Sequence, residues 1–163
     1  MKPILPALSL LLLAACAPQG RPQAAAGAPG RIAMERNSWG RPVSRWAIAA
    51  DGTGRYTVAE PDAWKPERLV TRGFSAGRAG FVQIRELLAL GEAHAGRQME
   101  CGDRITDQYY GTVRWDGASL TYDMGCQTPA TEEVLKGITA AERQVAAWAA
   151  NQPILETRKV ESQ

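Results

Sequence analysis

The stretch VSRWAIAADGTGRYTVA, residues 43–59, carries the clearest fold signal in the chain. Two runs of alternating apolar and polar residues flank the pair Asp51-Gly52, and Trp46 and Ile48 share one face of the first run. An Asp-Gly pair between such runs favours a tight β-hairpin, because glycine tolerates the positive φ that the turn requires. The stretch therefore predicts two antiparallel strands joined at Asp51-Gly52.

A second hairpin with the same turn chemistry is predicted at YYGTVRWDGASLTYDM, residues 109–124. Its turn is Asp116-Gly117, and 65 residues separate the two Asp-Gly pairs. The alternation again places one set of apolar side chains on a single face of the returning strand: Leu120, Tyr122 and Met124.

Helical spacing of apolar residues follows each hairpin. Phe81, Ile84, Leu87 and Leu88 share a face in the first segment, and Pro129 opens the second. The second stripe consists of Val134, Ile138, Ala141, Val145 and Trp148. We also expect a short strand at 31–36 and a loop or edge strand at 60–77. The chain thus predicts an α+β fold, an antiparallel sheet built from two hairpins with two helices packed on one face.

Composition narrows the classes of function. The chain has 163 residues, and 19 Lys+Arg against 17 Asp+Glu give a net charge of +2. That balance argues against a nucleic-acid binder, which relies on neutralising phosphates. One His and three Cys leave little material for a multi-histidine metal site, and no nucleophile-elbow, zincin or P-loop motif occurs. We expect no metal, no cofactor and no enzymatic activity.

The N-terminus has the three parts of an export signal: Lys2, an apolar run at 4–13 and a pair of small residues. Ten apolar residues are too few to span a bilayer, which needs about 20. The run Leu13-Ala14-Ala15-Cys16 resembles a lipobox, the processing motif of bacterial lipoproteins. The alternative is an ordinary secretory signal in which Cys16 is incidental.

The lipoprotein resemblance implies removal of residues 1–15 and acylation of Cys16, so the protein would be held in the membrane by its acyl chains. Two or three chains anchor better than one, because each buried CH₂ contributes about 0.8 kcal/mol. Ala17 stands where the best-known inner-membrane retention signal has Asp, so the resemblance favours the outer membrane, facing the periplasm.

Composition also divides the remainder of the chain. Residues 16–30 comprise the lipidated Cys and a stretch rich in Pro, Gly and Ala, which is typical of a flexible tether. A single α+β periplasmic domain is predicted over 31–152, and a polar tail over 153–163.

The predicted domain weakly resembles an uncharacterised family of small secreted bacterial domains. The matching pieces are Ile32–Arg36, the hairpin segment Trp46–Gly52, and Ile105–Asp107. The Cys-Pro expected after the first strand is missing, since Gly40-Arg41-Pro42 stands there. The family has no activity to carry over, so the resemblance implies a fold only.

Cys101 and Cys126 are the two thiols that remain if Cys16 is lipidated. In an exported protein such a pair favours a disulfide, and these two flank the second hairpin. The alternative is a redox or metal pair with His94 as a third ligand. His94 itself lies near the predicted end of the first helix, where a histidine usually interacts with the helix terminus.

Two tryptophans, Trp39 and Trp64, lie in segments rich in Gly and Pro and are candidate partner-binding residues. A protein partner or a glycan could stack on them; alternatively they close the ends of the sheet. Core packing accounts for Trp46, Trp115 and Trp148.

Three functions are compatible with these features. The first is a non-catalytic binding or accessory module, anchored to the envelope through lipid on Cys16 and facing an envelope protein or glycan. The second is a tethered inhibitor of a periplasmic hydrolase such as lysozyme or a protease. The third is a hydrolase that uses two carboxylates of the cluster Asp103, Asp107 and Asp123.

Overall fold

The computed structural model describes residues 30–102 and 104–160. The predicted signal peptide, Cys16, the tether up to residue 29, Asp103 and the last three residues lie outside the described residues. The described elements are, in chain order, β1 (Arg31–Ser38), β2 (Arg41–Ala49), β3 (Thr53–Glu60), β4 (Arg68–Ser75), α1 (Gly77–Leu87), α2 (Ala89–Ala93), β5 (Tyr110–Trp115), β6 (Ala118–Asp123), α3 (Pro129–Ala149) and β7 (Ile154–Lys159).

All seven strands belong to one antiparallel sheet in the order β6-β5-β1-β2-β3-β4-β7. The α+β class is therefore confirmed, and the two predicted hairpins correspond to β2–β3 and β5–β6. The sheet is larger than one built from two hairpins with two helices: the expected strand at 31–36 is β1, the segment 60–77 contains β4, and the described residues form three helices. Strand β1 joins the hairpins by pairing with both β5 and β2, and β4 and β7 extend the sheet beyond β3.

Strand β7 corrects the predicted end of the domain. Residues 154–159, predicted as part of a polar tail, pair with β4 from Arg68↔Lys159 to Arg72↔Ile154. All six residues of β7 are exposed. Backbone hydrogen bonds to β4 hold the strand, so it leaves little apolar pattern for sequence analysis to detect.

The core lies on one face of the sheet. A row of paired residues crosses six strands on this face: Leu120, Val113, Met34, Trp46, Tyr56 and Arg72. Helices α1 and α3 form one apolar cluster with this face, and α2 packs against α3 and β6. The opposite face carries charged residues at alternate positions, such as Glu35, Arg45 and Arg114. This polar face has no helix over it in the described part of the chain.

Helix α3 crosses the sheet and contacts both other helices. The Thr128 hydroxyl caps its start by accepting a 3.2 Å hydrogen bond from the Thr131 backbone, and Pro129 occupies the first turn. At Gly137 the helix passes so close to α1 that an added Cβ would lie 2.3 Å from the Leu87 carbonyl oxygen. The predicted first helix is divided at Leu88 into α1 and α2. None of the described helices is long and apolar enough to cross a membrane.

Candidate functional site

Four aromatic residues gather at one end of the sheet, which we call the aromatic end: Trp39, Trp64, Tyr109 and Tyr110. The turn after β1 contains Trp39, and the loop after β3 contains Trp64. In an antiparallel sheet both connections lie at the same end. Strand β5 also starts there, since Tyr110 pairs with Asn37. The fold thus brings the two predicted partner-binding tryptophans to the same end of the molecule.

Trp39 is the most exposed of these side chains, at 70%. It has φ of 50°, and the following Gly40 has φ of 74°. Two successive positive φ values are typical of a tight hairpin turn that prefers Asn-Gly, and a tryptophan in the first position is strained. The Gly40 backbone N–H donates a 2.9 Å hydrogen bond to the Tyr110 hydroxyl. The turn that presents the indole is therefore tied to the neighbouring strand β5.

A groove of about 350 Å³ opens beside this turn. The described residues that line it are Trp39, Arg104, Ile105, Thr106, Asp107, Gln108, Tyr110 and Asp123. Asp107 has φ of 65°. In the described part of the chain, Trp39 and Asp107 are the two residues other than glycine that have positive φ. Backbone strain of this kind costs about 1–3 kcal/mol for each residue and clusters at functional sites. Both strained residues line this groove.

Trp64 lies beside the groove residues without lining the groove. Its ring centroid is 6.4 Å from that of Tyr109, and the Tyr109 ring lies 5.4 Å from Cζ of Arg36. The Asp62 carboxylate orders the loop by accepting 2.7 Å hydrogen bonds from the backbones of Trp64 and Lys65. Trp64 therefore packs on Tyr109, which in turn lies next to Arg36. Trp64 is 54% exposed, so part of its side chain remains open to solvent.

Two of the three predicted acidic residues, Asp107 and Asp123, line the groove. Each oxygen of Asp123 already has a partner: Arg104 forms an ion pair with one, and the Gly125 backbone donates a 2.8 Å hydrogen bond to the other. The third residue, Asp103, is outside the described residues. Within 30–102 and 104–160, no three His, Cys, Asp or Glu side chains are grouped in a way that could hold a metal ion.

A disulfide joins Cys101 to Cys126, with the two Cα atoms 4.7 Å apart. It ties the segment that supplies Arg104 to Gln108 to the chain just after β6, so it supports one wall of the groove. His94 lies elsewhere, at the end of α2, where its Nδ1 donates a 2.8 Å hydrogen bond to the Leu90 carbonyl. That contact is the helix-end interaction expected from its position.

A buried carboxylate that the sequence analysis did not single out lies between α3 and the sheet. Glu142 is 7% exposed and accepts hydrogen bonds from Ser44 Oγ at 2.5 Å, Trp46 Nε1 at 2.7 Å and Tyr56 OH at 3.3 Å. Burial, followed by the charge of Glu142, raises the pKa of Tyr56 far above its ordinary value. Three donors satisfy this carboxylate, so it fastens the helix to the sheet. Its position four residues after Ile138, on the apolar stripe, was the available signal.

Comparison with known proteins adds nothing to this geometry: no protein family, curated protein or solved structure matches the chain.

Proposed function

We propose that this chain is a membrane-anchored binding module of the bacterial cell envelope, and that it binds its partner through the aromatic end. The observation that supports this most strongly is Trp39, whose exposed indole is held by a strained turn beside a groove. Large exposed aromatic side chains in such positions are typical anchors of binding surfaces. A soluble domain gains nothing in stability from exposing an indole in this way.

A non-catalytic role fits the polar groups in the groove. Hydrolysis by a pair of carboxylates needs both of them available to the substrate and the attacking water. Asp123 instead has both oxygens engaged by Arg104 and by the Gly125 backbone. The side chains that line the groove are therefore better suited to holding a ligand than to cleaving one.

The anchoring part of the proposal rests on Leu13-Ala14-Ala15-Cys16. We expect the mature protein to begin with an acylated Cys16 in the outer membrane, facing the periplasm. Mass spectrometry of membrane-extracted protein should show residues 1–15 removed and acyl chains on Cys16, and Cys16→Ser should accumulate as uncleaved precursor. An unacylated mature form that starts at another residue would show that the anchor is absent.

The binding part is tested by cross-linking in envelope extracts. Wild-type protein should form a defined adduct that Trp39→Asn loses, because asparagine suits the positive φ of the turn but removes the indole. Leu90→Ala is the matched control, since Leu90 is 53% exposed on α2, away from the aromatic end. Equal adduct yields from all three proteins would contradict the proposal.

One observation also favours a tethered inhibitor as a second candidate. The turn at Trp39 and Gly40 is a constrained hairpin tip with an exposed side chain, a shape that can enter the cleft of a lysozyme or protease. Inhibition of such an enzyme by the wild-type protein, and not by Trp39→Asn, would support this candidate. The third candidate, a hydrolase, predicts turnover of an envelope substrate that Asp107→Asn abolishes.

A further inference from the structure

We infer that the groove at the aromatic end binds a saccharide. The inference rests on the proposed function, because it names the ligand class of the same surface. Its basis is the combination of flat aromatic surface and paired polar side chains within one groove of about 350 Å³.

The aromatic side of the groove suits one face of a pyranose ring. Sugar rings present C–H groups on their faces, and these pack against the electron-rich faces of indole and phenol rings. Trp39 is 70% exposed, so much of its indole is open to a ligand, and Tyr110 is 39% exposed beside it. The hydrogen bond from Gly40 to the Tyr110 hydroxyl fixes the two aromatic residues relative to each other.

The polar side of the groove suits hydroxyl groups. Each sugar hydroxyl both donates and accepts, so a saccharide site needs both kinds of partner close together. Asp107 supplies acceptors, Arg104 supplies donors, and Gln108 and Thr106 supply both. These side chains come from the single short segment 104–108, so donors and acceptors lie close together along one wall of the groove.

Charge and size disfavour other small ligands. Among the described lining residues, two carboxylates face one guanidinium, so a phosphate or another anion would meet net repulsion. A purely apolar ligand would leave these polar groups without partners at a cost in free energy. The volume is at the lower end of the ~300–1,000 Å³ range of small-molecule pockets, which suits a short stretch of a glycan.

The backbone holds this arrangement before any ligand arrives. Trp39, on the aromatic side of the groove, and Asp107, on its polar side, both have positive φ. The disulfide secures the segment that carries Asp107. A site held in its binding conformation loses little entropy on binding.

The experiment titrates the purified full-length protein with a β-1,4-linked N-acetylglucosamine tetramer and a β-1,4-linked glucose tetramer, followed by calorimetry. We expect saturable binding of at least one, weakened at least tenfold by Trp39→Asn and by Asp107→Ala. Trp64→Ala is the control, since Trp64 does not line the groove, and should change the affinity less than twofold. Melting curves of the variants separate lost binding from lost folding.

No binding of either tetramer, or binding that Trp39→Asn leaves unchanged, would overturn the inference. If the tetramers fail to bind while the envelope adduct still depends on Trp39, the ligand is not a saccharide and the binding module stands. If neither the yield of the envelope adduct nor the binding of the tetramers depends on Trp39, the proposed function fails as well.

Discussion

The indole nitrogen of Trp46 donates a 2.7 Å hydrogen bond to Oε2 of Glu142, which links the middle of the sheet to the longest helix. Ser44 and Tyr56 donate to the other carboxylate oxygen, Oε1. One side chain of α3 therefore receives donors from two neighbouring strands, β2 and β3. This contact fixes the position of the helix along the sheet in a way that apolar packing alone does not.

Replacing Glu142 by Leu should be strongly destabilising. It leaves three donors without their acceptor, and each unpaired buried donor costs about 1–3 kcal/mol. We expect the free energy of unfolding to fall by about 3–5 kcal/mol, measured by urea denaturation. Glu132→Leu, at an exposed position of the same helix, should cost less than about 1 kcal/mol. Similar losses in both variants would show that the buried hydrogen bonds contribute nothing specific.

Alkaline pH should destabilise the fold through its buried tyrosines. Burial raises the pKa of Tyr122 to about 12, above the ordinary value near 10, and it raises that of Tyr56 as well. Above pH 10 the unfolded state releases the phenol protons and the folded state retains them, so stability is complete below pH 10 and is lost as the pH rises toward 12.

The free energy of unfolding should therefore fall between pH 10 and 12, by up to about 1.4 kcal/mol per pH unit for each tyrosine, and the urea denaturation midpoint should fall with it. Tyr122→Phe should flatten this decline, while Tyr110→Phe, at an exposed residue, should not. A midpoint independent of pH in this range, or the same slope in both variants, contradicts the assignment.

Loss of the disulfide should weaken both the fold and the groove. The disulfide joins residues with a sequence separation of 25, and closing such a loop raises the free energy of unfolding by about 3.5 kcal/mol in the chain-entropy model. Cys101→Ser with Cys126→Ser should lower the melting temperature by about 10 °C, measured by circular dichroism. The oxidised parent should show no free thiol at these two positions in denaturant. Unchanged melting after reduction would count against a structural role.

Gly137→Ala should destabilise although alanine is the better helix former. Its Cβ would lie 2.3 Å from the Leu87 carbonyl oxygen, so α1 and α3 would have to separate. We expect a loss of about 2 kcal/mol, within the range for overpacked sites. Gly91→Ala is the matched control, because its Cβ meets only side chains, the nearest at 3.3 Å. A stability gain of about 1 kcal/mol at Gly137 would mean that helix propensity outweighs the close approach.

Much of the sheet could be predicted because its signals are local. Asp51-Gly52 and Asp116-Gly117 define both hairpins, and four of the five residues in the second apolar stripe are buried between α3 and the rest of the core. The hairpins' positions in the sheet could not be predicted, because pairing between β1 and β5 depends on residues about 80 apart in the chain. Strand β7 could not be predicted either, because all six of its residues are exposed and its two apolar residues, Ile154 and Leu155, are adjacent rather than alternating.

Of the residues that line the groove, the sequence singled out Trp39, Asp107 and Asp123 and left out Arg104 and Gln108. Trp39 and Trp64 were identified by their surroundings in sequence, but only the fold shows that Trp39 lines a groove and Trp64 packs on Tyr109. The strained backbone at Trp39 could not be predicted either, because Trp-Gly is not a usual residue pair for a tight turn. Glu142 was missed because a charged residue within an apolar stripe is normally assigned to the solvent face.

Strand β1 also separates the start of the described chain from the aromatic end. Arg31 and Ser38 stand at its two ends, and eight strand residues at about 3.3 Å each span about 26 Å. Trp39 follows at the end of β1 opposite to residue 30, so the indole lies about one strand length from the point where the N-terminal segment joins the sheet. A ligand bound at the aromatic end therefore does not meet the chain that enters the sheet at residue 30.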